Sequence, residues 1–341
     1  MPLSKNNQLT PIPSDPSLDY EQVASELIRS LRGRQSQAAF SRRIGYRSNI
    51  VSRWEAKKAF PTAARFLEVF AKVRPREAAP LRRFFPRLPI GLAQLELTSA
   101  QAVAAFLTEL RGRTPILSVA RESGFNRYSV SHWLSGDSEI RLPQFLCLVE
   151  VMSRRMLDFL AGCTDPQRMS SVSAAWKRLE SMREAAYSMP WSHAVLRALE
   201  IQSPAGPQLP WLLDRLGIPE PTLIEALRVL ERTGQVTKAR GRWTPTRIVS
   251  VNTAQDRARA HALKISWTQT ALERMQADAP GNYGYSVFSI SKADLKRMRD
   301  VHLEYVRAMQ QIIAESSSGQ CVGLYCAQLL DLGLSDNALG D

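Results

Sequence analysis

Between positions 37 and 58 the sequence gathers Gln37, Arg47, Ser48, Asn49, Ser52 and Arg53, followed by Lys57 and Lys58. A carboxamide such as that of Asn or Gln can meet the adenine edge with a donor and an acceptor together, and a guanidinium fits guanine in the same two-point way. The ammonium groups of Lys57 and Lys58 neutralise phosphate without reading sequence. A second set lies further along, at Asn126, Arg127, Tyr128, Ser129 and His132, and a third, Lys238, Arg240 and Arg242, surrounds Gly241. These residue types suit contact with a polyanion and its base edges.

Groups suited to bond-making are sparse. The sequence holds no Gly-rich phosphate loop, no His-Glu-x-x-His, no nucleophile elbow and no convincing carboxylate constellation. His302 falls on an apolar helical stripe between Met298 and Tyr305, the setting of a packed core histidine, and His193 beside Trp191 reads as a helix-packing residue. Cys321 and Cys326 are five apart on an expected strand and would point to opposite faces, which argues against a shared zinc site. Neither a metal nor a cofactor is expected, and the chain does not read as an enzyme.

The first two basic or polar sets sit in an internal repeat. Leu31 to Leu67 recurs as Leu110 to Leu146 at a fixed offset of 79 residues: Leu31-Arg32-Gly33-Arg34 returns as Leu110-Arg111-Gly112-Arg113, Gly45 as Gly124, Trp54 as Trp133 and Phe66-Leu67 as Phe145-Leu146. Each copy reads as a short helix, a glycine turn and a second helix with polar exposed positions, which is how a helix-turn-helix presents side chains to a groove. In the first copy Gln37 to Ile44 forms the leading helix, Gly45 supplies a left-handed turn, and Ser48 is expected to cap the next helix through Trp54.

Ser36-Gln37, Gly45, Val51-Ser52-Arg53-Trp54-Glu55 and Pro61 resemble the helix-turn-helix of the Cro/C1-type (XRE-like) repressors. Two positions depart from that pattern: Phe40-Ser41 replaces a Leu-Ala pair, and Lys57 stands where that family usually has glycine, which the second copy keeps as Gly136. The resemblance implies that the second helix of each module enters the major groove, with Gln37, Arg47, Ser48, Asn49 and Arg53 as first-module contacts. Asn126, Arg127, Tyr128, Ser129 and His132 occupy the matching region of the second module. If both copies bind, one chain could read two half-sites about 34 Å apart.

Charge separates the copies. The formal net charge is +13, and residues 1–90 hold 17 Lys/Arg against 7 Asp/Glu, whereas residues 91–160 hold seven of each. A basic field acts where it clusters, so the first module has the phosphate term and the second, with Glu122, Asp137 and Glu139, lacks it. DNA contact by the second module stays open against a scaffold or dimer-contact role.

The remaining organisation follows composition and periodicity. Residues 1–18 read as a disordered arm, 19–73 as the first helix-turn-helix domain, 74–97 as a basic proline-rich linker and 98–163 as a second helix-turn-helix-like domain. Within the linker, Arg82-Arg83-Phe84-Phe85-Pro86-Arg87 could form a minor-groove arm, although a connector packed on its neighbours fits better. Residues 174–250 give three helices and a hairpin around Arg240-Gly241-Arg242, the arrangement of a winged helix. Its would-be reading helix carries Glu220, Glu225 and Glu231, which repel phosphate and favour protein contact over DNA contact.

Residues 251–341 read helix, strand, helix, strand, a regulatory or dimerisation segment with strands at Tyr285 to Ile290 and Cys321 to Leu329. Tyr187, Trp191-Ser192-His193, the winged-helix spacing and this last pattern, over about 187–330, resemble an uncharacterised C-terminal domain of predicted bacterial transcriptional regulators that also carry an N-terminal helix-turn-helix.

The expected fold is therefore mainly α, with tandem helix-turn-helix modules, a winged helix and a small α+β C-terminal segment. The expected function is a bacterial, cytoplasmic, sequence-specific regulator of transcription that binds double-stranded DNA, acts as a homodimer and represses by occluding polymerase. No apolar stretch approaches the length of a membrane span, and four cysteines do not make a disulfide framework. The alternatives are a protein-interaction adaptor built on the same folds and a nucleic-acid-processing enzyme.

Overall fold

The computed structural model describes residues 18–85, 88–201, 207–246, 251–316 and 319–333. The expected N-terminal arm lies almost wholly outside the described residues, as do Pro86 and Arg87 of the linker. The described chain is mainly helical, with one two-stranded sheet.

The first repeat supplies α1 (Tyr20–Arg32), α2 (Gln37–Arg43), α3 (Ile50–Glu55), α4 (Ala63–Val73) and α5 (Pro80–Phe84). Their starts are set by side chains that accept otherwise orphaned backbone N–H groups. Asp19 accepts from Glu21 and Gln22 at 2.9 and 3.0 Å, Ser36 from Ala39 at 3.2 Å and Thr62 from Arg65 at 3.2 Å. The cap of α3 is Asn49, whose Oδ1 accepts from the Ser52 N–H at 3.4 Å, and not Ser48 as the sequence suggests. Both residue types cap helices; Asn49 Oδ1 also lies 3.2 Å from Ser41 Oγ, whose shorter bond, at 2.8 Å, goes to the Gln37 carbonyl.

After the short α6 (Ile90–Ala93), the second repeat supplies α7 (Ala100–Arg111), α8 (Ile116–Ser123), α9 (Arg127–Ser135), α10 (Leu142–Ser153) and α11 (Met156–Cys163). The correspondence reaches side-chain geometry. Tyr46 meets Trp54 edge-on with ring centroids 5.6 Å apart, and the pair 79 residues later, Phe125 and Trp133, does so at 5.4 Å. Left-handed backbone recurs at Gly45 and Gly124, and again at Lys57 and Gly136.

One continuous apolar core runs through both repeats, from Val23 to Val172, and it includes residues from the expected linker. Leu81 and Phe84 are buried, and Phe84, Phe85 and Phe106 form a mutually edge-on cluster. The aromatic pair of the linker is thus packing material. The junction between repeats is reciprocal: α1 packs on α10 and its counterpart α7 on α4, while α5 packs on its own counterpart α11. A single antiparallel bridge joins Thr62 to Arg141, with Ala63 N–H donating to the Ile140 carbonyl at 2.8 Å and Leu142 N–H to the Pro61 carbonyl at 3.0 Å.

A short 3-10 turn at Pro166–Arg168 leads to α12 (Ser173–Ser188). Glu26 of α1 holds this entry: it accepts from Ser170 Oγ at 2.6 Å, from Ser171 Oγ at 2.8 Å and from the Ser171 N–H at 3.1 Å. Deeper in, buried Asp158 receives Arg155, Arg183 and Gln255, so α11, α12 and the chain that follows the sheet converge on one carboxylate.

A second core gathers α13 (Trp191–Glu200), α14 (Gln208–Leu216), α15 (Glu220–Arg232) and the strands β1 (Val236–Ala239) and β2 (Arg242–Pro245). Ala239 pairs with Arg242, leaving Arg240-Gly241 as a two-residue turn with φ of +51° and +78°, the conformation that follows the twist of a hairpin. Gln208 clamps the hairpin to α14, donating to the Trp243 carbonyl at 3.0 Å and accepting from its N–H at 2.8 Å.

Beyond it lie α16 (Arg257–Gln276) and α17 (Lys292–Glu315), neither of which has a buried residue among those described. The strands expected at Tyr285 to Ile290 and Cys321 to Leu329 do not form: both stretches are irregular and hydrogen-bond to no neighbouring strand. Alternating apolar residues specify a strand only when a partner covers one face, and here Tyr285 and Val287 are 96% and 80% exposed. The α17 stripe is likewise uncovered, with Met298, Tyr305 and Ile312 exposed, so His302 has no core to pack into.

Candidate nucleic-acid interface

In the first repeat the geometry starts from a buried carboxylate. Glu55, at the end of α3, receives Arg32 Nε at 2.5 Å and Nη2 at 3.2 Å, and Gln37 Nε2 at 2.8 Å, with Arg29 at 3.7 Å. Three helices, α1, α2 and α3, are thereby tied to one side chain. Burial pushes the Glu55 carboxyl up, but the hydrogen bonds and charges of its partners outweigh it and hold the group below the ordinary carboxylate range. Ser25 Oγ adds a bond to the Glu55 carbonyl at 2.8 Å. The pair α2–α3 is therefore rigid where its outer face must be presented.

That outer face is cationic. Arg47, Ser48, Asn49, Arg53, Lys57 and Lys58 are exposed, as are Arg42 and Arg43 on α2. Among the described residues Lys57 pairs with Asp19 at 3.1 Å, while Arg42, Arg43, Arg47, Arg53 and Lys58 have no ion-pair partner. Arginines held without a carboxylate on a fixed surface offer their charge to an external anion. Two residues singled out from sequence also have partners within the fold: Gln37 is half-buried on Glu55, and the exposed Asn49 caps α3 through its oxygen. Ser52 is half-buried on the same helix.

Arg42 and Arg43 escaped the sequence reading, although their place just before the Gly45 turn marks them. The Glu55 cluster escaped it too; the signal was a carboxylate next to Trp54, with Arg29 and Arg32 in the last turn of the helix that precedes the motif.

The second repeat keeps the frame and changes the surface. Arg127, Tyr128 and His132 are exposed, Ser129 is half-buried, and Asn126 caps α9 by accepting from the Tyr128 N–H at 2.8 Å. His132 Nδ1 lies 3.3 Å from Asp137, which also receives Ser135 Oγ at 2.6 Å. Hydrogen bonds from Ser135 and His132 hold the Asp137 carboxyl low, so a negative charge stands where the first repeat has Lys58. At the Glu55 position stands Leu134.

On the hairpin, Lys238 Nζ stacks over the Trp243 ring, 4.3 Å from its centroid, while Arg240 and Arg242 are exposed near the tip. Glu220, Glu225 and Glu231 are exposed along α15, with Glu225 3.6 Å from Arg228. The three basic sets stay on three separate elements.

The second core, the sheet, α16 and α17 share one more property. Residues 171–329 match a family described as a domain of unknown function, DUF4423. The DUF4423 match begins at the Glu26 contact, runs through α12 to α17, and leaves both repeats outside it. It overlaps the stretch of about 187–330 for which the sequence suggests a single uncharacterised domain. No curated protein and no solved structure matches the chain. Among the described residues no group of His, Cys, Asp and Glu could hold a metal ion, and no helix is long and apolar enough to cross a membrane.

Proposed function

We propose that the chain is a sequence-specific DNA-binding regulator of transcription, with α2–α3 of the first repeat as its principal contact. The observation that carries this reading is the set of exposed arginines, Arg42, Arg43, Arg47 and Arg53, without an ion-pair partner among the described residues, on two helices and the loop between them that a buried carboxylate fixes in place. In this reading α2–α3 and α8–α9 are helix-turn-helix units of the XRE-like kind. Arg47, Ser48 and Arg53 reach base edges, Lys57 and Lys58 meet phosphate, and Gln37, Asn49 and Ser52 shape the reading helix.

The three helices and hairpin of the second core form a winged helix. The acidic outer face of α15 suits it to protein contact, with Lys238, Arg240 and Arg242 as the wing's only contribution to DNA. The exposed apolar residues of 283–332 supply the homodimer contact or receive an effector. Repression in a bacterial cytoplasm follows most simply, since a groove-bound protein occludes polymerase unaided.

The test is binding of the full chain to duplexes selected from a random pool, against scrambled duplex, over a salt series. A regulator retains defined sequences and loses affinity steeply as salt rises, because each neutralised phosphate releases counterions. Retention of no duplex at low ionic strength overturns the proposal.

A further inference from the structure

The junction between the repeats carries a signature of two-fold symmetry inside one chain. Thr62 and Arg141, the two residues of the bridge, occupy the same place in their repeats, 79 residues apart. The flanking hydrogen bonds are each other's images: Ala63 to Ile140 in one sense, Leu142 to Pro61 in the other, at 2.8 and 3.0 Å. Further out, Arg83 of α5 donates to the carbonyl of Gly162 of α11 at 3.0 Å, and these two are again equivalent positions. The packing of α1 on α10 and of α7 on α4 runs in the same sense, although α7 also packs on α10 within its own repeat. In an isologous interface residue i meets j and j meets i, and only a two-fold axis makes equivalent residues meet each other. A tandem array related by translation would pair the end of one repeat with the start of the next.

We infer that the two repeats form a closed internal dimer, and that the DNA they fit is one inverted pair of half-sites of unequal sequence, occupied by a single chain. This rests on the proposed function above and extends it to the second repeat. Protein two-fold symmetry is mirrored in an operator as inverted half-sites at fixed spacing. The inequality follows from the surfaces: His132 stands for Arg53, Asp137 for Lys58 and Asn126 for Arg47. A symmetric homodimer would select identical halves, whereas this chain selects a strong half and a weak half. The shared core from Val23 to Val172, which takes in Leu81, Phe84 and Leu92 from between the repeats, fixes the spacing.

Duplexes selected by the full chain from a random pool would be sequenced, footprinted and weighed in complex. The expected result, with duplex in excess, is two different half-sites in inverted orientation at one spacing and one chain per duplex, since each chain of a C-terminally paired dimer then takes its own duplex. Arg53→Ala should weaken binding about tenfold or more and erase preference in the strong half alone. Arg127→Ala with His132→Ala should give a smaller loss confined to the weak half. A single half-site, a direct repeat, identical halves or two chains per duplex would overturn the inference and leave the proposed function standing. Selection of no sequence would remove both.

Discussion

Trp54 leans edge-on against Tyr46 in the first repeat and Trp133 against Phe125 in the second, yet the residue after each tryptophan is Glu55 in one and Leu134 in the other. The frame that orients the helices is common to both, and the chemistry hung on it is not. In the first repeat a buried carboxylate organises Arg32 and Gln37, and the outer face is left to uncompensated arginines. In the second, Ile116 replaces Gln37, Arg111 donates to the Thr114 carbonyl at 3.0 Å, and Asp137 places negative charge beside α9. Duplication thus preserved packing while the polar surface diverged, which is the expected order when a shared core constrains one and solvent the other.

The sharpest way to break this comparison is to attack what the repeats share. Phe106 is fully buried and touches Phe84 and Phe85 of the first repeat's last turns and Phe145 of its own. Phe106→Ala should cost about 3 to 5 kcal/mol, measured by urea unfolding. Residues 20–163 should still melt in one transition. Two separate transitions would mean that the repeats are independent domains and that the junction is incidental.

Next in size is the feature they do not share. Glu55→Ala leaves the half-buried Arg32 and Gln37 without this acceptor and should destabilise by about 3 kcal/mol, whereas Leu134→Ala, at a half-buried site, should cost about 1 to 2 kcal/mol. The pH dependence separates them further. The folded pKa of Glu55 is depressed, so its contribution is present at neutral pH and above and is lost as pH falls through the folded value, below the ordinary glutamate range of about 4.3. Glu26 behaves in the same sense: burial raises its carboxyl, but bonds from Ser170, Gln22 and Ser171 outweigh that and leave it below its ordinary value. Glu55→Gln should flatten the acid limb of stability; an unchanged limb would assign that limb to other carboxylates.

On DNA the contrast should reappear as unequal losses. Arg53→Ala should cost about 1 to 3 kcal/mol on the preferred duplex and less on scrambled duplex. His132→Ala, already paired with Asp137, should cost less than Arg53→Ala in the same titration. Equal losses on preferred and scrambled duplex would reduce Arg53 to a phosphate contact.

Much of this was open to a reader of the sequence, for reasons that differ by region. The 79-residue offset exposed both modules because glycines and tryptophans fix a turn and a core position whatever the surface does. The hairpin declared itself through Arg240-Gly241 between two short extended runs. What stayed hidden were relations between distant residues: the bridge of Thr62 to Arg141 runs through backbone groups that any side chain carries, and Glu55 meets Arg32 only once three helices have packed. The strands expected near Tyr285 and Cys321 failed for the converse reason. Local alternation was read as sufficient, although sheet formation needs a partner that these residues lack here.

The finest difference between repeats lies at one backbone angle. Lys57 and Gly136 are equivalent and both left-handed, with φ of +59° and +83°. A side chain in that region clashes with its own carbonyl at roughly 1 to 2 kcal/mol, so the first repeat keeps a lysine at an energetic disadvantage that the second avoids. Its ion pair with Asp19 is solvent-exposed and returns little. Lys57→Gly should therefore stabilise the chain by about 0.5 to 1 kcal/mol, less than the full strain because glycine also loosens the unfolded chain. Gly136→Ala should destabilise by about 1 kcal/mol, since the added Cβ meets Ala104 at an ordinary 3.5 Å and only the backbone objects. If lysine is retained for phosphate, Lys57→Gly must weaken DNA binding and lower the salt slope by about one while raising stability. A stabilised variant with an unchanged slope would leave the strained lysine without a role in binding.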